Sequence, residues 1–169
     1  PNPPDTTLPT TPEALRSAVE AAFRAENWPD VLRLTERAVI EGGARAEHRL
    51  VAWRGRAFLY QRRFAEAAQT LAWFEARMPD QHQALFYLAQ ALAGLQDLTE
   101  AWRVFAACLA LRPDEPRYVL EAARTGARLV NGDYGAIAPR PDLLPEALAL
   151  LRRAATLNPR DARPWRELG

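Results

Sequence analysis

The fold is decided by two consecutive 34-residue segments, which read HRLVAWRGRAFLYQRRFAEAAQTLAWFEARMPDQ over residues 48–81 and HQALFYLAQALAGLQDLTEAWRVFAACLALRPDE over residues 82–115. Residues 34 positions apart match in type at His48 and His82, Phe64 and Leu98, Glu66 and Glu100, Ala67 and Ala101, Leu71 and Phe105, and Pro79 and Pro113. A constant period that keeps apolar, small and proline positions in register indicates a repeat array.

Each segment contains two apolar runs with helical spacing, separated by a short polar turn. In the first segment these runs are centred on Phe58 and Leu71, and Pro79 ends the second run because proline cannot continue a helix. Asp80 with Gln83, and Asp97 with Glu100, have the spacing of a capping box at a helix start. Each repeat is therefore predicted to be a hairpin of two antiparallel helices.

The same pattern extends outward in both directions. The predicted units span about residues 12–45, 46–81, 82–115 and 116–161, and residues 162–169 begin a further unit with Trp165, Leu168 and Gly169. Residues 1–11 are rich in Pro and Thr without apolar periodicity, so we interpret them as a linker or as the edge of the expressed segment. Because the last unit is only begun, we expect a fragment of a longer, bacterial protein.

The fourth unit is longer than the others. Pro113 and Pro159 are 46 residues apart, and 46 − 34 leaves 12 extra residues, which fall in a loop around residues 130–142. Two interpretations stay open for this loop. It is either a passive insertion or an element that binds or packs, since long ordered loops are uncommon unless they are used.

These repeats resemble the tetratricopeptide repeat, which follows the pattern W-x₂-L-G-x₂-Y…A-x₃-F…P. The matching positions are Gly55, Phe58, Ala67, Leu71 and Pro79, then Ala89, Leu92, Ala101, Phe105 and Pro113, then Ala147, Leu151 and Pro159. The resemblance implies an all-α fold, a right-handed superhelix or α-solenoid of about four antiparallel helix hairpins plus the start of a fifth. It also implies that the first helices line a concave groove that binds peptides or partner domains.

Removing the core positions from each first helix leaves the side chains predicted to face the groove. They are Arg16, Glu20, Arg49, Trp53, Arg56, Tyr60, Gln83, Phe86, Tyr87, Gln90, Arg117, Glu121, Arg124 and Arg128. Arginine and aromatic residues are enriched at binding hot spots, and the arginine fork pairs well with carboxylates. This set predicts a non-catalytic scaffold for a protein or peptide of acidic character. The alternative is that the polar members form a solvated face and the aromatics pack between repeats.

Several function classes are disfavoured. The chain has 22 basic residues, all of them Arg, against 21 acidic residues, and this balance argues against a nucleic-acid partner. No catalytic motif, phosphate-binding loop or metal-ligand spacing is present, so we expect no catalytic residues, cofactor or metal. Cys108, the single cysteine, is predicted to be a small buried hydrophobe. We expect exposed or capping roles for His48 and His82.

Two other functions remain possible from the sequence. The chain is alternatively a regulatory or substrate-positioning arm of a larger enzyme, such as a glycosyltransferase or sulfotransferase, or it associates with itself through exposed helix faces or the loop around residues 130–142. The sequence shows no signal peptide and no apolar run of membrane-spanning length, so direct membrane insertion is not expected. The cytoplasm is favoured, and the Pro/Thr-rich lead leaves a periplasmic location open.

Overall fold

The computed structural model describes residue 9 and residues 11–132 and 138–161. Within these residues all regular secondary structure is helical, and there is no strand. The helices are α1 (Pro12–Arg24), α2 (Trp28–Gly42), α3 (His48–Tyr60), α4 (Phe64–Arg77), α5 (His82–Gly94), α6 (Leu98–Leu111), α7 (Pro116–Asn131) and α8 (Leu144–Leu157). Two short 3-10 helices, Gly43–Arg45 and Pro141–Leu143, precede α3 and α8. The predicted all-α fold of sequential helix hairpins is confirmed.

Some sequence predictions fall outside the described residues. These are the partial unit over residues 162–169, most of the linker before residue 11, and residues 133–137 of the loop in the fourth unit. The described part of that loop is short, because α7 continues to Asn131 and the 3-10 helix begins at Pro141. The amide of Arg140 donates to the carbonyl of Leu129 at 2.7 Å, which ties the end of the loop back to α7.

Polar side chains cap the amino termini of α1, α2 and α6. Thr11 Oγ1 accepts from the Ala14 amide at 3.2 Å, and Asn27 caps α2 in the same way. The predicted cap at Asp97 is confirmed, because its carboxylate accepts from the Glu100 amide at 3.2 Å. The predicted capping box at Asp80 is wrong: α5 begins one residue later, its N-cap is Gln81, and no side chain caps it.

The turns that follow α1, α3 and α5 have the same geometry. Each contains one non-glycine residue in the left-handed region, with φ of 54° at Glu26, 60° at Arg62 and 66° at Gln96. In each turn the next amide donates back to a carbonyl five residues earlier, for example from Asp97 to Leu92 at 3.0 Å. This is a Schellman-type helix ending, and it reverses the chain into the second helix of each hairpin.

The chain divides into two compact units, Pro1–Trp73 and Phe74–Gly169, called unit 1 and unit 2 below. In unit 1, α2 packs against both α1 and α3, around a core that includes Val19, Val31 and Leu50. In unit 2, α7 packs against both α6 and α8, and α5 packs against α6. None of the described helices is long and apolar enough to cross a membrane.

Small residues of the repeat pattern are buried between helices. Ala67, Ala89 and Ala101 are completely buried. A β-carbon added to Gly55 on α3 would lie 2.5 Å from Cγ of Leu71 on α4, which is far inside contact distance. The glycine therefore lets these two helices approach each other closely.

Candidate partner-binding surfaces

Six of the predicted groove residues lie on α1 and α3 of unit 1, and we call Arg16, Glu20, Arg49, Trp53, Arg56 and Tyr60 the α1–α3 face. Two of their charges are already paired within the unit. Arg16 forms ion pairs with Glu13 at 3.2 Å and with Glu47 at 3.5 Å. Glu20 pairs with Arg24 at 2.5 Å. The charges of Arg16 and Glu20 are therefore already neutralised by salt bridges within unit 1.

The carboxyl-terminal half of the α1–α3 face is aromatic. Tyr60 stacks on Trp28 with ring centroids 4.8 Å apart, and Phe23 meets Trp28 edge-on at 5.1 Å. The guanidinium of Arg56 lies over the Phe23 ring, 4.4 Å from its centroid. We call Phe23, Trp28 and Tyr60 the aromatic cluster. Sequence reasoning found Tyr60 but missed the other two as site residues: Phe23 lies near the end of α1, and Trp28 begins the second helix α2.

An open cavity of about 480 Å³ adjoins the aromatic cluster. Its walls are the three rings, Arg24 and Glu26. Tyr60 keeps 48% of its surface exposed despite its stacking on Trp28. The cavity therefore offers apolar ring surface and charges of both signs to a side chain that enters from solvent.

The other two members of the α1–α3 face differ in exposure. Trp53 is half-buried and packs against the core of unit 1, which supports the view that this aromatic serves packing. Arg49 is exposed. The neighbouring Arg54, which sequence reasoning did not single out, donates to the Leu32 carbonyl at 2.8 Å and ties α3 to α2. Burial lowers the pKa of Arg54, while the nearby Glu36 acts in the opposite direction.

The remaining predicted groove residues lie on α5 and α7 of unit 2. With one exception they form what we call the α5–α7 face: Gln83, Tyr87, Gln90, Arg117, Glu121, Arg124 and Arg128. Three arginines share this face with a single carboxylate. Arg124 pairs with Glu121 at 3.6 Å, Arg128 donates to Oε1 of Gln96, and the Arg117 guanidinium lies over the Phe86 ring at 5.3 Å.

The exception is Phe86, which the structure places in the core. Its side chain is only 2% exposed and stacks on Tyr118 with centroids 4.6 Å apart. A second ring, Phe105, lies 5.9 Å away. Because α5 contacts both α6 and α7, it is buried over most of its circumference. Phe86 is therefore unavailable to a partner and is removed from the predicted set.

A family model matches part of the sequence. Residues 54–116 match the family model described as tetratricopeptide repeat. Over these residues the chain is similar to tetratricopeptide repeats. A search of curated proteins gives no significant match.

Solved tetratricopeptide-repeat structures share the fold. The crystal structure of YrrB, described as a TPR protein with an unusual peptide-binding site, superposes with a TM-score of 0.72 at 19% identity, covering 90% of this chain and 72% of that one. MamA from Desulfovibrio magneticus RS-1 gives a TM-score of 0.72 at 17% identity, covering 88% and 76%. Another MamA structure gives 0.77 at 9% identity, covering 92% and 78%. At these identities the similarity establishes the fold alone.

The two histidines differ in environment despite their equivalent positions, 34 residues apart. His48 is exposed, as predicted. His82 is neither exposed nor a cap, because its Nδ1 lies 2.8 Å from the Tyr118 hydroxyl in a partly buried hydrogen bond. Burial raises the pKa of Tyr118 to about 12, so the phenol is neutral at physiological pH.

Cys108 is fully buried in the core of unit 2, as predicted. Its Sγ lies 3.6 Å from the His82 carbonyl, and burial raises the pKa of the thiol to about 12. A neutral, enclosed thiol is a poor nucleophile. In the part of the chain that the structure describes, no group of three or more His, Cys, Asp or Glu side chains is arranged to hold a metal ion.

Proposed function

We propose that this chain is a non-catalytic scaffold that binds acidic peptide segments of a partner protein on the first helices of its repeats. The α5–α7 face of unit 2 supplies arginine forks for carboxylates. The α1–α3 face of unit 1 supplies the aromatic cluster for an apolar or aromatic side chain. The observation that carries the proposal is the placement of three arginines, Arg117, Arg124 and Arg128, on one side of α7.

The electrostatics of the α5–α7 face favour carboxylates. Arg117, Arg124 and Arg128 follow one another along α7 at intervals of seven and four residues, which keeps them on one side of the helix. Glu121 is the one acidic member of the face and contacts Arg124. A peptide carboxylate that binds an arginine fork gains charge-assisted hydrogen bonds. Two or three such contacts in a row favour a peptide with several Asp or Glu residues.

The aromatic cluster of unit 1 supplies a different kind of contact. Exposed ring surface stabilises an inserted side chain through burial and edge or face contacts between rings. Arg56 lies against Phe23 and so presents a cation beside the apolar surface. This arrangement favours an aromatic or aliphatic side chain with a neighbouring carboxylate.

Calorimetric titration with an acidic probe peptide tests the proposal. The peptide acetyl-Glu-Glu-Tyr-Glu-Glu-amide is expected to bind the chain, and its glutamine counterpart to bind more weakly. Arg124→Ala should weaken binding about two- to fivefold through the α5–α7 face, the range for one partly exposed ion pair. In a chain that already carries Arg124→Ala, Arg56→Ala should weaken the remaining binding by a similar factor, because the α1–α3 face of unit 1 is a separate site.

The matched control is Arg152→Ala. Arg152 is an exposed arginine of unit 2 on α8, outside both faces, and its loss should leave the affinity unchanged. Because exposed charge pairs are screened, binding should also weaken as salt is raised from about 50 to about 500 mM. Equal affinities for the glutamate and glutamine peptides would contradict the proposal, as would a loss in Arg152→Ala equal to that in Arg124→Ala.

A further inference from the structure

Unit 2 has an apolar cavity on the side of α7 that faces α6 and α8. Its volume is about 340 Å³, and its lining residues are Trp102, Ala106, Leu109, Ala122, Glu146, Ala149 and Leu150. Six of the seven lining side chains are apolar. The α6 members follow a spacing of four and three residues, and the α8 members a spacing of three and one, so each helix presents one continuous stripe to the cavity.

The cavity is formed by small side chains next to one large one. Ala122 on α7 is buried and forms the floor, while Ala106 and Ala149 leave space on the two walls. The indole of Trp102 lies directly on Gly126 of α7, where an added β-carbon would collide with its Cζ3 and Cη2 atoms. Gly126 thus permits the position of Trp102, whose ring closes one end of the cavity.

Glu146 gives the cavity its polarity. It is exposed, is the one charged residue in the lining, and forms no hydrogen bond or ion pair with another described residue. The nearest basic residue in sequence to Trp102 is Arg103, which is already held by both Glu75 and Glu100. A carboxylate at the rim of an apolar cavity, with no ion pair to another described residue, favours a ligand that carries a cation beside an apolar group.

We propose that this cavity is a second docking site, for a partner segment in which an aliphatic side chain stands next to Lys or Arg. The aliphatic side chain fills the space between Trp102 and Leu150, and the basic residue pairs with Glu146. The volume is near the lower end of the range for ligand pockets, which suits one or two side chains and not a larger organic ligand. The site selects a basic segment, opposite in charge to the peptide proposed for the α5–α7 face.

The experiment uses fluorine NMR of the chain labelled with 5-fluorotryptophan, in which Trp102→Phe assigns the Trp102 resonance among the five tryptophans. The probe is acetyl-Gly-Leu-Arg-Gly-amide, compared with acetyl-Gly-Leu-Glu-Gly-amide and acetyl-Gly-Ala-Arg-Gly-amide. The Leu-Arg peptide is expected to shift the Trp102 resonance saturably, the Leu-Glu peptide to bind at least twofold more weakly, and the Ala-Arg peptide to show no saturation.

Variants separate the two parts of the site. Glu146→Gln should remove the preference for Leu-Arg over Leu-Glu, a change of about two- to fivefold, and leave aliphatic binding in place. Ala149→Phe should fill the cavity and abolish the shift, and Ala106→Leu is the alternative if Ala149→Phe does not fold. Glu41→Gln, at an exposed carboxylate of unit 1 outside both faces and the aromatic cluster, is the matched control and should change nothing.

Other outcomes overturn the proposal. Equal shifts by the Leu-Arg and Leu-Glu peptides would show that Glu146 selects nothing. A shift by sodium hexanoate as strong as that by the Leu-Arg peptide would identify an acyl-chain site. A Trp102 resonance that moves on dilution of the chain, together with a dimer on gel filtration, would assign the cavity to a second copy. Arg124→Ala leaves the cavity intact. A negative result for the cavity can therefore be distinguished from a negative result for acidic-peptide binding on the α5–α7 face.

Discussion

Leu71 occupies the space that a side chain on Gly55 would need, because a β-carbon there would lie 2.5 Å from its Cγ. Leu71 is completely buried and has little room to move. Gly55→Ala is therefore expected to lower the free energy of unfolding by about 1–2 kcal/mol, since overpacking outweighs the gain in helix propensity. Urea denaturation followed by circular dichroism measures the change.

A second background tests the cause of that loss. In a Leu71→Ala chain the space beside Gly55 is open, so adding Gly55→Ala should cost nothing further or recover some stability. If Gly55→Ala is equally destabilising in both backgrounds, contact with Leu71 is not the reason.

The aromatic cluster should contribute to stability as well as to binding. Tyr60→Ala removes contacts with Trp28 and Phe23 and is expected to cost about 1–2 kcal/mol, from two ring pairs. Ile40 is more exposed, at 63%, and provides the matched control. Ile40→Ala should stay within about 0.5 kcal/mol of the original chain. Thermal unfolding of the two variants measures both losses of stability. Equal losses would show that the stacking of Tyr60 has no measurable effect.

Arg54 is expected to be a structural residue, unlike the arginines of the binding faces. Arg54→Ala removes the hydrogen bond to the Leu32 carbonyl and the contact with the Phe58 ring, at a cost of about 1–2 kcal/mol. Arg49→Ala, on the same helix but exposed, should change stability by less than about 0.5 kcal/mol. Chemical denaturation measures the stability of both variants. An Arg54→Ala variant as stable as the original chain would contradict the structural role of Arg54.

Alkaline pH should destabilise the protein through two buried acids. In the folded state the pKa of Cys108 rises from 9.0 to about 12 and that of Tyr118 from 10.0 to about 12. Between these values the unfolded chain has released protons that the folded chain still holds, so the free energy of unfolding falls as pH rises from about 9 to 12. Urea midpoints across this range measure the slope.

Two variants show which residues cause the loss of stability at alkaline pH. Cys108→Ala should remove the decrease in the free energy of unfolding that begins near pH 9, and Tyr118→Phe the decrease that begins near pH 10. These onsets follow from the pKa values of the two groups in the unfolded chain. A slope that is unchanged in the double variant would show that other groups cause it.

The fold was predictable because its signal is local and repeated. The 34-residue register of Ala67 with Ala101, and of Leu71 with Phe105, located the second helices, and all four residues are buried. Turn residues and capping side chains lie within a few positions of the helices that they end or begin. Such short-range chemistry is readable without knowledge of the tertiary structure.

The binding surfaces were less predictable because they depend on contacts between helices. Phe86 follows the core residue Leu85, and only the packing of α5 against two neighbours explains why both are buried. Trp102 is 24 residues from Gly126, and no local pattern relates them. The contacts of Phe23 and Trp28 with Tyr60 were not predictable either, since they form only when α3 packs beside α1 and α2.

Glu26, Arg62 and Gln96, the left-handed residues of the three turns, have opposing backbone and side-chain preferences. Glycine would relax the backbone at these positions, yet each present side chain makes use of its place: Glu26 lines a cavity, Arg62 lies over the Phe64 ring, and Gln96 accepts from Arg128. The gain in backbone freedom and the loss of side-chain contact oppose each other. Each of these turns therefore combines a backbone conformation that favours glycine with a side-chain contact that glycine cannot make.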